Sequence, residues 1–294
     1  MKPPRFAYHD PPARSEVLAL LATYADDAKV LAGGQSLVPL LNMRLAQPMH
    51  LVDINHLSDL AYIRETDGGL AIGALTRQRT IERSALVRSR CPLLAEALPF
   101  VGHPPIRSRG TIGGSLAHAD PAAELPTVLL ALGGHVRAES QGGSRTIPVE
   151  AFFAGQMETT LTPEELLTEA WFPLAPPRSG AAFVEVSRRH GDFALVGIAA
   201  QLTLDDQGSI VAAHLALMGV AATPVRAQAA EALLLSEQPG EGLFTAAAER
   251  AAADLHPTSD IHASAEYRRH VASVLVNRAL HTAAERARRG GQYE

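Results

Sequence analysis

The sequence predicts an α+β fold: a small α/β N-terminal domain, a middle mixed-sheet domain, and a C-terminal three-stranded antiparallel sheet with a helical bundle. Three observations predict it. Short apolar strands alternate with helix-period segments over residues 1–57. The stretch "PLAPPRSG", Pro173–Gly180, is the most linker-like in the chain and ends a middle domain of residues 58–176. Beyond it, in residues 177–294, three strand-like apolar runs precede three helix-period segments.

In chain order, Ser15 stands at the cap of a first helix with Val17, Leu18, Leu21 and Tyr24 on one face. "KVLAGG" reads as a short strand ending at Gly33-Gly34. Ser36 then opens a second helix with the apolar stripe Leu37, Leu40, Leu41 and Leu45. Pro39 is tolerated because the first turn needs no N–H from it. "MHLVDI" is the next strand, and "LAYIRETDGGLAIGAL" is a hairpin turning at Asp67-Gly68-Gly69. Helical stretches follow from Thr76 to Leu98. Asp120 caps a helix with Pro121 at its first position, running through "TVLLAL" to Gly133, with a kink or early break at Pro126. "HVRAES" and "RTIPVEAFF" are strands about the turn "QGGS", and Thr162 with Glu165 makes a capping-box helix start. "AAFVEVSRR", "LVGIAAQLTL" and "IVAAHLALMGV" are the C-terminal strands. The closing helices begin near Pro224, Phe244 and Ser264, the last turning Tyr267, Val271, Val274 and Leu275 inward.

Composition narrows the function classes. The chain has 294 residues, 47% hydrophobic and 19% charged, ordinary for a globular protein with a sizeable core. Its formal charge of −5 argues against holding nucleic acid by general electrostatics. The polar, proline-rich start "MKPPRFAYHDPPARSE" lacks the apolar stretch of a signal peptide, and no run approaches the about 18 apolar residues of a membrane span. The cytoplasm is the expected compartment. Cys91 is the one cysteine, so the chain forms no internal disulfide and cannot alone supply the thiolates of an iron–sulfur cluster. In "RCPLL" it reads as a packing residue. No HExxH, paired CxxC or EF-hand loop is present, and no Ser-His-Asp or Cys-His arrangement assembles from any motif. Redox chemistry here needs an organic cofactor.

Two similar words carry the functional signal: "VLAGGQSLVPLLNMRL" and "GTIGGSLAHADPAAELP". Adjacent glycines let the backbone approach a ligand without a Cβ in the way. Successive N–H groups in such a loop form an anion-binding concavity, and a following helix start adds partial positive charge. Two loops suit a diphosphate gripped from both sides; the same words also read as tight turns joining strands to helices. "GTIGGS" does not fit GxGxxG and the chain has no Gly-Lys pair, which excludes the usual Rossmann and P-loop fingerprints.

"LAGGQSLVPLLNMRLAQPMHLVDI" with "IRSRGTIGGSLAHADPAAELPTVLLAL" resembles the FAD-binding (medium) subunit of the molybdenum hydroxylases. That family includes the medium subunit of carbon monoxide dehydrogenase and the flavin domain of xanthine dehydrogenases. The likeness continues through "TPEELLTEAWFP", "RRHGDFALVGIAA" and "SAEYRRHVASVLVNRAL". It implies a two-part FAD-binding unit, with the diphosphate of FAD held by Ala32, Gly33, Gly34, Gln35 and Ser36 of the first loop and by Thr111, Gly113, Gly114 and Ser115 of the second. It places Glu124 near the ribose end, His118 in contact with the cofactor, Val101 beside the flavin and Phe193 against the isoalloxazine. Leu161 and Leu166 would complete an apolar wall. Many relatives carry Asn where this chain has Ser115, and Arg-Asn-Arg where it reads Arg107-Ser108-Arg109. Phe193 in place of tyrosine keeps the stacking face and loses a hydroxyl.

The resemblance implies an oxidoreductase subunit with no catalytic acid–base residue of its own. Substrate would be oxidised at a molybdenum cofactor in a large subunit, and electrons would pass through [2Fe–2S] clusters of a small subunit to FAD here, and on to an external acceptor. The implied assembly is a dimer of heterotrimers. A free-standing flavin reductase or oxidase, and a non-enzymatic nucleotide-binding scaffold, are the alternative readings.

Overall fold

In a computed structural model describing residues 2–290, the chain opens on three short parallel strands in the order β1-β3-β2. These are β1 (Ala7–His9), β2 (Ala28–Leu31) and β3 (His50–Asp53), joined by the crossover helices α1 (Arg14–Tyr24) and α2 (Leu37–Asn42). α1 buries Val17 and Leu21 as its periodicity requires, but it starts one residue before Ser15, which therefore does not cap it. α2 is short. It buries Leu41, whereas Leu45 lies beyond its end and is 72% exposed.

The second sheet is antiparallel and five-stranded. β4 (Ile63–Thr66) and β5 (Gly69–Gly73) form the expected hairpin. Six helices follow: α3 (Gln78–Arg83), α4 (Ala85–Arg90), α5 (Pro92–Ala97), α6 (Pro104–Arg109), α7 (Ile112–His118) and α8 (Glu124–Leu132). Then come β6 (His135–Ser140), β7 (Gly143–Pro148), the small ribbon β8 (Phe153–Gly155) with β9 (Glu158–Thr159), and β10 (Leu166–Pro173). The sheet order is β4-β5-β10-β6-β7.

Two local sequence signals resolve differently in the folded chain. The helix assigned to Asp120 begins at Glu124, because the Asp120 carboxylate accepts the Ala122 N–H at 2.9 Å in a turn. Pro126 thus falls in the first turn, where its missing N–H costs nothing, and no kink results. Thr162 and Glu165 make half of a capping box, with Thr162 N–H on Glu165 at 2.8 Å, but the turn feeds β10 and no helix forms.

The third sheet is antiparallel: β11 (Ser179–Ser187), β12 (Ala194–Leu204), β13 (Ile210–Met218) and a short fourth strand, β14 (Val225–Arg226), that the apolar pattern does not disclose. α9 (Gln228–Leu234), α10 (Glu241–Ala253) and α11 (Ala265–Arg288) close the described chain. α11 is capped by Ser264, whose hydroxyl accepts the Tyr267 N–H at 3.1 Å. It buries Val271 and Leu275, while Tyr267 is exposed and Val274 half-buried.

All nine residues of α8 are buried, because the helix lies between the second and third sheets. The core around it takes Leu125, Val128 and Leu129 from α8 together with Phe183, Ala199 and Ala216 of the third sheet. The other face of that sheet packs on α10 and α11 through Val196, Ile198, Leu215, Ala272 and Leu280. The N-terminal core joins Val17, Leu21 and Val52 to Leu75 and Leu166 of the middle of the chain. Among the described residues no helix is long and apolar enough to cross a membrane.

Candidate functional site

β2 ends at Leu31 because the chain must turn there. Ile54 N–H still donates to the Leu31 carbonyl at 3.0 Å, and Gly34 then takes φ +72°, a left-handed value that suits glycine. From Gly33 to Ser36 no backbone N–H finds an acceptor among the described residues. Four adjacent donors are left unspent between a strand end and a helix start. Gln35 holds the turn by donating its side-chain amide to the Gly33 carbonyl at 3.1 Å.

The second loop reaches the same place from the other side. A Cβ on Gly33 would lie 2.9 Å from the Cα of Gly110 and closer still to the Arg109 carbonyl oxygen. A Cβ on Gly114 would lie 4.0 Å from that of Ala32. The two glycine loops are therefore in backbone contact. Unlike the first, the second has spent its donors: Gly113 N–H goes to the Ala74 carbonyl at 2.9 Å, Gly114 N–H to the Thr111 hydroxyl at 3.0 Å, and Ser115 N–H to the Thr111 carbonyl at 3.2 Å. What it offers an anion is the start of α7 and the half-buried Ser115 hydroxyl.

Sequence reasoning missed the residues that join the loops. Asn55, just past β3, donates to the Ala32 carbonyl at 2.8 Å and accepts from Arg77 at 2.7 Å. Arg77 also donates to the Arg109 carbonyl, and its backbone pairs with Thr111 in a single bridge. Asp53 accepts from Asn55 and from the Tyr8 hydroxyl, the latter at 2.7 Å. Neither Arg77 nor Arg109 forms an ion pair among the described residues, so two cations flank the loops with no bound carboxylate. Burial and the nearby Arg109 charge both lower the pKa of Arg77.

The remaining predicted residues fall into two groups. Val101 is half-buried, and the buried Arg107 fixes it by donating to the carbonyls of Val101 and Gly102 at 3.0 and 3.1 Å while pairing with Glu82 at 2.9 Å. Arg107 is thus a strut under Val101, unlike the more exposed Arg109. His103 meets the turn before β12: a Cβ on Gly191 would lie 2.7 Å from His103 Nδ1. This turn carries Phe193, which is 72% exposed, so its ring is not core packing. α6, about 9 Å long, connects the Val101 segment to the second glycine loop.

Glu124 is 9% exposed at the first turn of α8. Burial pushes its carboxyl up to about 7, with Asp120 adding to the effect against its own backbone hydrogen bond and Arg107. Glu185 on β11 is pushed up to about 8 by burial and by Glu124, and its Oε2 has no hydrogen-bond partner. α8, which begins at Glu124, packs on β12 of the hairpin that carries Phe193. His118 is the last residue of α7, half-buried, next to Ala119 in a left-handed cap. Leu161 packs on the large core near the β8–β9 ribbon. Leu166 is 3% exposed inside the N-terminal core, among Leu21, Leu60 and Leu75. Cys91 is buried and its thiol is pushed up to about 12 by burial. Among the described residues no group of three or more His, Cys, Asp or Glu is placed to hold a metal.

Comparison with known proteins finds matches over nearly the whole chain. The family described as FAD binding domain in molybdopterin dehydrogenase matches residues 4–175, and the CO dehydrogenase flavoprotein C-terminal domain matches residues 181–283. The 6-hydroxypseudooxynicotine dehydrogenase complex subunit alpha of Paenarthrobacter nicotinovorans is 47% identical over 98% of this chain and 97% of its own. The carbon monoxide dehydrogenase medium chain of Hydrogenophaga pseudoflava is 38% identical over 96% of this chain and 98% of its own. A solved structure of carbon monoxide dehydrogenase from that organism superposes with a TM-score of 0.94 at 40% identity, covering 97% of this chain and 99% of the other. The chain belongs to the family of FAD-binding domains in molybdopterin dehydrogenases, continued by the CO dehydrogenase flavoprotein C-terminal domain.

Proposed function

We propose that this chain is the FAD-carrying electron-transfer subunit of a multi-subunit molybdenum hydroxylase. The observation that carries the reading is the backbone contact between the two glycine loops, with the N–H groups of Gly33, Gly34, Gln35 and Ser36 unspent beside Arg77 and Arg109. A diphosphate carries the charge and the acceptor oxygens that these donors lack. The first loop would donate from its backbone and the second from the Ser115 hydroxyl and the start of α7. Phe193 and Val101 would flank the ring system, and Glu124 would meet hydroxyl groups between ring and phosphates. When bound, FAD supplies the one- and two-electron chemistry of its ring. The side chains named here would bind and orient it.

Electrons would arrive from [2Fe–2S] clusters on a small subunit, themselves reduced by a molybdenum centre on a large subunit, and leave to an external acceptor. A single buried cysteine supports this division, since clusters need thiolates this chain does not have. The named relatives support it further, one being called a complex subunit and another a medium chain. Substrate choice would rest with the large subunit, in a cytoplasmic complex built as a dimer of heterotrimers.

Purification of the chain with FAD, followed by acid release and quantitation of the flavin, tests the cofactor. One FAD per chain is expected, lost in the Gly33→Val, Gly114→Val double variant. A chain that binds no FAD, or a double variant that keeps it fully, overturns the reading. Co-purification with the products of neighbouring genes, with metal analysis and light scattering, tests the assembly. Turnover of an organic substrate by this chain alone would instead favour a free-standing flavin enzyme.

A further inference from the structure

We propose that Asn55 and Arg77 are positioning residues that hold the two glycine loops at the separation one diphosphate requires, so that FAD affinity is governed through them although neither belongs to a glycine loop. This rests on the cofactor reading above. A grip made by two loops from distant chain segments is only as good as their spacing, because misplaced donors lose hydrogen-bond strength steeply with distance and angle.

The spacing is set by one side-chain joint. Asn55 uses both ends of its amide: the Nδ2 group donates to the Ala32 carbonyl at 2.8 Å, and Oδ1 accepts from Arg77 at 2.7 Å. Arg77 spends its other terminal nitrogen on the Arg109 carbonyl. One carbonyl of each loop is thus tied to a single amide–guanidinium pair. The Arg109 carbonyl is also the group that Gly33 approaches most closely, so the joint acts where the loops touch. Behind it, Asp53 accepts from Asn55 Nδ2 at 2.6 Å and from its backbone N–H at 2.9 Å, which fixes the amide's orientation. The Tyr8 hydroxyl on β1 holds Asp53 in turn. The line Tyr8–Asp53–Asn55–Arg77 therefore ties the grip to the parallel sheet.

Arg77 has a second role in the same act. It is half-buried, bonded to two neutral oxygens and, among the described residues, in no ion pair, a costly state for a cation unless an anion shares the space. Burial and the Arg109 charge weigh against its own, Asp53 offsets them in part, and a diphosphate between the two arginines would outweigh them.

The test is FAD binding by the full-length chain, followed by flavin fluorescence and by phosphorus NMR of the bound diphosphate. Asn55→Leu and Arg77→Met should each raise the FAD Kd by about tenfold or more. Their double variant should be worse than Asn55→Leu only by the charge that Arg77 brings, and should fall well short of the product of the two singles, because both break one joint. Arg77→Lys keeps the charge but replaces the fork, whose two terminal nitrogens reach the two carbonyl-type acceptors, by a single nitrogen; it should retain the fold, bind FAD more weakly and shift the diphosphate resonances. A merely structural role would lower the melting temperature of the FAD-free chain and leave Kd and the resonances of Arg77→Lys unchanged. That result overturns the proposal, as do single-variant effects that multiply fully in the double. A wild-type chain that binds no FAD overturns the cofactor reading itself, and this inference with it.

Discussion

At the scale of single residues, Gly33 shows how little room the site leaves. Its missing side chain lets the first loop lie against Arg109 and Gly110, and a valine there must push the loops apart. Forcing them apart costs about 2 kcal/mol or more, which is roughly a thirtyfold loss in FAD affinity; equilibrium titration of Gly33→Val checks it. Glu124 and Glu185 make a second residue-scale prediction. Their ordinary value is 4.5, and the fold raises them to about 7 and about 8. Between the ordinary value and about pH 8 the native state holds protons that the unfolded chain has released, so this contribution to stability is full in acid and lost as pH rises. In Glu185→Gln that share disappears, and the melting temperature of wild type should fall relative to the variant on going from about pH 5 to about pH 9. Parallel melting curves would refute it. The glycine loops were legible in the sequence because their signal is local: two glycines, a hydroxyl and a helix. Asn55 meets Ala32 across 23 residues and Arg77 meets Arg109 across 32, and nothing in either neighbourhood announces the partner.

At the scale of elements, boundaries followed hydrogen bonds more than propensity. Thr162 and Glu165 make a capping contact, yet the segment that follows pairs with β5 and β6 as a strand. Sheet neighbours overrode a local helix signal. The apolar run in α8 was legible, but its start was not, since the Asp120 turn and the Pro126 position satisfy their rules three or four residues later than the pattern suggests. Ser264, the cap that the sequence offers for α11, accepts the Tyr267 N–H with its hydroxyl. Ser264→Ala should cost about 1 kcal/mol, or about 1–2 °C in melting temperature for a chain of this size, with FAD affinity unchanged. Calorimetry and titration on the same preparation separate the two effects.

At the scale of the molecule, the three-part order of sheets was legible from the change in pattern along the chain, while strand order was not. Placing β10 between β5 and β6 needs contacts across about a hundred residues, which periodicity does not encode. The core closes over Cys91, which is 1% exposed with its thiol pushed up to about 12. A thiol reagent should leave the native protein unmodified and label one site per chain after denaturation. Labelling without unfolding would mean that the core opens.

The buried α8, walled on both sides by sheets, has a consequence for how this gene can be divided. The connector at Pro176-Pro177-Arg178 is exposed and invites a cut, yet Phe183, Ala199 and Ala216 beyond it fill the same interior as Leu125 and Leu129 before it. A nicked chain should elute as one particle and fall into fragments in denaturant alone. Two polypeptides encoded separately from that point would each emerge with a greasy face bare, and would have to find one another before aggregation did.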